Sequence, residues 1–145
     1  MKKPFALTIV AAMAVGCGSS DDGPSKADFV KKADAVCAKG DKQIDAAASR
    51  TFTGKKVPNQ AVLTRFIKAE SLPAVRKQID DIKKLEPPKG DEDKVKAITD
   101  GVDDALAKTE AQPQLAIAGG AKNPFTGPNK LARDYGLKRC GAESN

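Results

Sequence analysis

The chain has no histidine and no tryptophan, and only one tyrosine and five phenylalanines among its 145 residues. Without histidine it lacks the usual general base at neutral pH, the Ser-His-Asp and Cys-His arrangements, and nearly every protein zinc site. There is no Cys-x-x-Cys, so dithiol redox catalysis lacks its motif. Gly119-Gly120 belongs to no Gly-x-x-x-x-Gly-Lys phosphate loop and follows no strand-like segment. No stretch alternates apolar and polar residues as a half-buried strand does. No apolar run reaches the roughly 20 residues that a membrane-crossing helix needs. Basic blocks with interleaved aromatics are missing too, which argues against nucleic acid as a partner. Carboxylates are left as candidates for chemistry, in Asp80-Asp81, Asp91-Glu92-Asp93 and Asp100…Asp103-Asp104. None has the spacing or the interior glycine of a calcium loop. No metal site, no cofactor and no enzymatic activity is expected.

What is present begins at the start of the chain. Met1-Lys2-Lys3 is followed by 13 apolar or small residues, Pro4 to Gly16. A positive start and a short apolar core ending on small residues are the pattern of a secretory signal. Cys17 stands directly after Ala14-Val15-Gly16, and Gly18 to Pro24 is small, polar and acidic. The simplest reading of these residues alone is a cleaved secretory signal with a cysteine nearby.

Ala14-Val15-Gly16-Cys17 resembles the lipobox of bacterial lipoproteins, with Ala14 where leucine is usual. The resemblance implies that Cys17 is joined to diacylglycerol, that residues 1–16 are removed, and that Cys17 becomes the first residue of the mature chain. Two acyl chains anchor stably, since each buried CH₂ contributes about 0.8 kcal/mol. Residues 17–25 then read as the lipidated cysteine and a flexible tether. Its stretch from Gly18 to Pro24, fully extended, spans at most about 25 Å. The molecule is therefore expected at the cell membrane, lipid-anchored on the extracytoplasmic face.

Loss of the leader leaves 129 residues, 17–145, a single-domain length, with the helical domain over 26–145. Lys2 and Lys3 leave with it, so 23 basic residues face 19 acidic ones and the net charge is +4. The lysine pairs at 31–32, 55–56 and 83–84 lie among acids and read as solvated helix faces. Contact with anionic lipid or wall polymer is the other reading. Two cysteines remain, Cys37 and Cys140. Outside the cytoplasm thiols oxidise, and with Cys17 lipidated only one intramolecular pairing is possible. The alternative is two buried free thiols. A Cys37–Cys140 bridge closes a loop of about 100 residues, which chain-entropy arguments value at about 4.7 kcal/mol. The mature chain also carries 19 alanines, which favour helix but add little apolar area. A thin core of this kind benefits from a staple.

The apolar spacing is helical throughout. Ser25 and Asp28 form a capping-box-like start to a helix over about 26–48, with Phe29, Ala33, Val36, Cys37, Gly40 and Ile44 as its inner stripe. Residues 49–58 read as a loop. A second helix runs from near Asn59 to Leu85, striped by Val62, Leu63, Phe66 and Ile67, then Val75, Ile79, Ile82 and Leu85. Pro73 predicts a kink or break at Ser71-Leu72. Pro87-Pro88 ends it, and Asp91 is expected to cap a third helix striped by Val95, Ile98, Val102 and Leu106. After Pro113 come a short helical turn, an irregular stretch to Pro128 and a last short helix over 129–135. Gly136 is placed to cap that helix in a left-handed conformation, with Leu137 folding back. The fold class is all-α: a small bundle of three long helices and one short, the long one kinked at Pro73, closed by one disulfide.

Three motifs add a family likeness: Phe29-x-x-x-Ala33-Asp34-x-Val36-Cys37, Leu85-x-Pro87-Pro88 and Tyr135-Gly136-Leu137-x-x-Cys140-Gly141. Together they resemble small lipoproteins of actinobacteria over most of the mature chain. The likeness implies a helical, disulfide-closed domain outside the membrane and brings no activity with it. Two functions compete. One is a non-enzymatic binding or structural module that meets an envelope protein or cell-wall component. The other is a carrier of a small apolar ligand or lipid in an interhelical slot. A carrier requires an apolar cavity of a few hundred Å³, whereas a docking module has a filled bundle. The loop around Phe125 either shapes a groove beside Pro73 or plugs the end of the bundle.

Overall fold

A computed structural model describes residues 23–53 and 58–142. Cys17, the leader 1–16, most of the tether and the Lys55-Lys56 pair lie outside the described residues. The described residues are helical, without strands: α1 Lys26–Thr51, α2 Gln60–Phe66, a π turn Ile67–Ser71, α3 Leu72–Lys83, α4 Glu92–Ala111, two 3₁₀ segments (Pro113–Ile117 and Gly120–Lys122) and α5 Thr126–Tyr135. Among them no helix is long and apolar enough to cross a membrane.

Ser25 starts α1 as its spacing predicts. Its Oγ accepts from the Asp28 amide at 3.1 Å and donates to the Asp28 carboxylate at 2.7 Å. The helix runs three residues past the expected end at 48. Aromatic packing accounts for the extension. The amide of Phe52 caps the last turn on the Ala48 carbonyl, and its ring meets Phe66 edge-on at 4.8 Å.

From Gln60 to Lys83 the chain stays helical but changes its hydrogen bonding once. Asn59 caps the start, accepting from the Val62 amide at 2.9 Å. The amide of Leu72 then reaches back five residues to the Ile67 carbonyl. Pro73 follows immediately and lies at the start of α3. A proline inside a regular α-helix leaves one carbonyl without a donor and presses its ring on that carbonyl. A wider turn just before it relieves both, and single π turns are a common form of such an adjustment.

Pro87-Pro88 and Gly90, at φ +86°, turn the chain into α4. Asp91 holds the N-cap position but does not cap with its side chain, contrary to expectation. Its backbone, at φ −112° and ψ 5°, is not the extended one from which a cap side chain reaches the first amides. The carboxylate instead binds Lys94 and accepts from the Tyr135 hydroxyl at 3.0 Å. Lys94 and that hydroxyl hold Asp91 below the usual carboxylate range. Burial, and then Asp91 itself, push Tyr135 up to about 12.

The last helix starts three residues before the expected 129. Pro128 falls in its first turn, where a missing amide hydrogen leaves nothing unsatisfied. At the other end Gly136, at φ +114°, donates to the Arg133 carbonyl, and Leu137 donates to the Ala132 carbonyl at 2.9 Å. This is a complete Schellman closure. Leu137 is buried with Ala132, whereas Leu131 points outward.

Side-chain pairs give the directions. Gly40 lies on Gln78 and Phe52 on Phe66, so α1 runs antiparallel to the second helical rod. Arg76 pairs with Glu110 and Lys83 with Asp103, so α3 and α4 are antiparallel. Gly101 meets Pro128 and Asp91 meets Tyr135, so α4 and α5 are antiparallel. The bundle is up-and-down, and its core holds Phe29, Ala33, Cys37, Ile67, Leu72, Ile79, Ile82, Ile98, Val102, Leu106 and Leu137.

Candidate functional site

The tail after α5 turns back onto α1 and is fastened there in three ways. Cys37 and Cys140 form the expected disulfide, with Cα atoms 5.2 Å apart across 103 positions of sequence. Asp34, one turn before Cys37, accepts from three successive amides of the tail: Lys138 at 3.1 Å, Arg139 at 2.9 Å and Cys140 at 3.2 Å. Asp41, one turn after Cys37, pairs with the Arg139 guanidinium at 3.0 Å. Asp34, Cys37 and Asp41 share one face because their spacing is three and four.

Beneath this strap lies a cavity of about 690 Å³. Its walls come from α1, α2, the π turn, α3, α4, the irregular stretch after α4, α5 and the strap itself. They are mostly apolar, with Leu63, Phe66, Val75, Ile79, Val102 and Phe125 among them. Such a volume lies within the roughly 300–1,000 Å³ of small-molecule sites. The loop side is built by one side-chain amide and one hydroxyl that fold the backbone on itself. Asn123 donates to the Ala116 carbonyl at 3.2 Å and accepts from the Phe125 amide at 3.0 Å. Thr126 donates to the Gly120 carbonyl at 2.8 Å. Phe125 packs against the core and also lines this cavity, but it does not shape a groove beside Pro73. The depression beside Pro73 is a separate one of about 360 Å³, lined by Lys68, Leu72, Pro73, Arg76 and Glu110.

The polar end of the cavity is carried by Asp41 and Asp45 of α1, Gln78 of α3 and Arg139 of the strap. Gln78 is buried and donates from Nε2 toward the Cys37 carbonyl at 3.5 Å. It lies over Gly40, where a Cβ would come within 1.8 Å of that nitrogen. Burial pushes the Asp41 carboxyl up. Arg139 works against that rise, Asp45 adds to it, and Gln78 opposes it. Sequence reading placed Gly40 on the inner stripe but passed over Asp41, Asp45, Gln78 and Arg139. One signal was available: Gln78 stands at a stripe position, three after Val75 and four before Ile82, where a polar residue is out of place.

The acidic groups singled out from the sequence lie elsewhere, and half of them, Asp81, Asp91, Asp100 and Asp103, are paired with lysine. Lys77 and Lys84 hold Asp81 down at about 2. Lys96 binds Asp100, and Lys83 binds Asp103. Among the described residues no group of three or more His, Cys, Asp or Glu is placed to hold a metal ion. Cys17, the residue expected to carry lipid, lies outside the described residues. No family model, no curated protein and no solved structure matches the chain.

Proposed function

We propose that this chain is a membrane-anchored extracytoplasmic lipoprotein without enzymatic activity, and that its helical domain carries a small apolar molecule or lipid in the slot between its helices. One observation supports the carrier part: the cavity of about 690 Å³ with mostly apolar walls. The leader, the small residues before Cys17 and the likeness to small actinobacterial lipoproteins support the anchor. In this reading the rod Gln60–Lys83 bends at Pro73 and helps keep the slot open. Docking of an envelope protein or cell-wall component has less behind it. Among the described residues two large apolar side chains, Ile117 and Leu131, are exposed, and Ile117 already lines the slot.

The carrier reading is tested with a neutral fluorescent probe, N-phenyl-1-naphthylamine, titrated into the full chain. The absence of tryptophan keeps the background low. Enhanced, saturable emission is expected. Val75→Phe, which fills the slot from α3, is expected to weaken probe binding about tenfold or more while the unfolding temperature holds. No saturable emission, or unchanged binding by Val75→Phe, rejects the carrier. The anchor is tested separately, by mass spectrometry of native material for diacylglycerol on an amino-terminal Cys17.

A further inference from the structure

We infer that the slot selects amphiphiles with an apolar body and a protonated amine head, and that Asp45 with Asp41 receives the head. The inference rests on the carrier reading and adds the charge of the ligand to it.

The argument is one of complementarity. The chain has 25 lysines and arginines, yet among the described residues only Arg139 lines the cavity. Its guanidinium is engaged by Asp41 at 3.0 Å. A carboxylate or phosphate head would therefore find no free cation and would face two carboxylates. Asp41 and Asp45 stand four residues apart on one face of α1, so their side chains are neighbours. Against the one guanidinium among the described residues of the lining they leave one negative charge in excess. No described side chain pairs with the Asp45 carboxylate; Ser49 bonds only the carbonyl of that residue.

The other polar groups of the lining carry no charge to offset it. Gln78 is a neutral amide that donates toward the Cys37 carbonyl and to Asp41, and Asn123 and Thr126 are committed to loop carbonyls. Asn129 donates to the Ala142 carbonyl at 3.3 Å. The partly buried Asp41 makes the preference sharper, since charges interact more strongly where water is partly excluded. A protonated amine can approach Asp45 directly and reach the edge of the Asp41–Arg139 pair without breaking it. The alkyl body then runs inward over Phe66, Val75 and Phe125.

The experiment is displacement of N-phenyl-1-naphthylamine from the full chain by dodecylamine, dodecanol and dodecanoate, each below its micelle-forming concentration. The amine is expected to displace the probe at a concentration about fivefold or more below the other two, the scale of one partly exposed ion pair. Asp45→Asn is expected to bring amine and alcohol within about twofold of each other. Asp104→Asn, on the outer face of α4, is expected to change nothing. Equal displacement by all three, preference for dodecanoate, or an amine preference that survives Asp45→Asn overturns the inference and leaves the carrier reading standing. Saturable probe binding that none of the three reverses also overturns it. Failure of the probe itself to bind removes the carrier reading, and this inference with it.

Discussion

Gly40 and Gln78 set the local geometry of the slot. A methyl group at position 40 would lie 1.8 Å from Nε2, 2.4 Å from Cδ and 2.5 Å from Cγ of Gln78. Rotating the amide end of the glutamine relieves the first contact. It does not relieve the last, because Cγ sits close to the backbone of α3. Gly40→Ala is therefore expected to force α1 and α3 apart or to expel Gln78, at a cost of about 1–3 kcal/mol. Gln78→Ala in the same chain removes the obstacle and is expected to recover most of the loss. Urea titration of the four chains in the cycle measures this. A coupling of about 0.5–3 kcal/mol between the two positions marks a direct contact. Additive effects would show that something other than Gln78 excludes a side chain at position 40.

The second rod shows how one proline rewrites an element. Its inner residues Leu63, Ile67, Leu72, Val75, Ile79 and Ile82 are spaced by three and four except for one step of five, from Ile67 to Leu72. In an α-helix residues five apart face directions about 140° apart. The π turn holds Ile67 and Leu72 on the same inner side, where both are buried. The stripe was legible in the sequence on both sides of Pro73, but Leu72 was not, since a break assumed at that point takes its side chain out of the pattern. The wider turn amounts to one extra residue in the helix. Deleting Ala69 is expected to restore a regular α-helix and place Pro73 in its interior, at about 3 kcal/mol. Combining the deletion with Pro73→Ala is expected to recover most of that, read by thermal unfolding. If the double change is as unstable as the deletion alone, the π turn is required by packing and not by the proline.

The molecule as a whole is closed by a strap that ties its last residues to its first helix. The antiparallel bundle and the Cys37–Cys140 pairing were both legible, because helical spacing and cysteine count are local properties. The slot was not. It depends on which polar residues converge across about 100 positions of sequence, and Asp41, Asp45 and Arg139 look like ordinary surface charges when read in order. Of the strap's three fastenings, the two that hold its backbone are the disulfide and the Asp34 carboxylate with its three tail amides. The disulfide acts mainly by limiting the unfolded chain, whereas the Asp34 bonds exist only in the folded one. Their losses therefore differ in kind. Cys37→Ala with Cys140→Ala is expected to lower stability by about 2–5 kcal/mol while the tail stays docked, so its amides keep their protection against hydrogen exchange. Asp34→Ala with the disulfide intact is expected to cost less overall but to speed exchange at 138–140 selectively. Both changes together leave only the Asp41–Arg139 pair and should free the tail. Tail amides that exchange freely once the disulfide alone is removed would mean that Asp34 merely follows the covalent link.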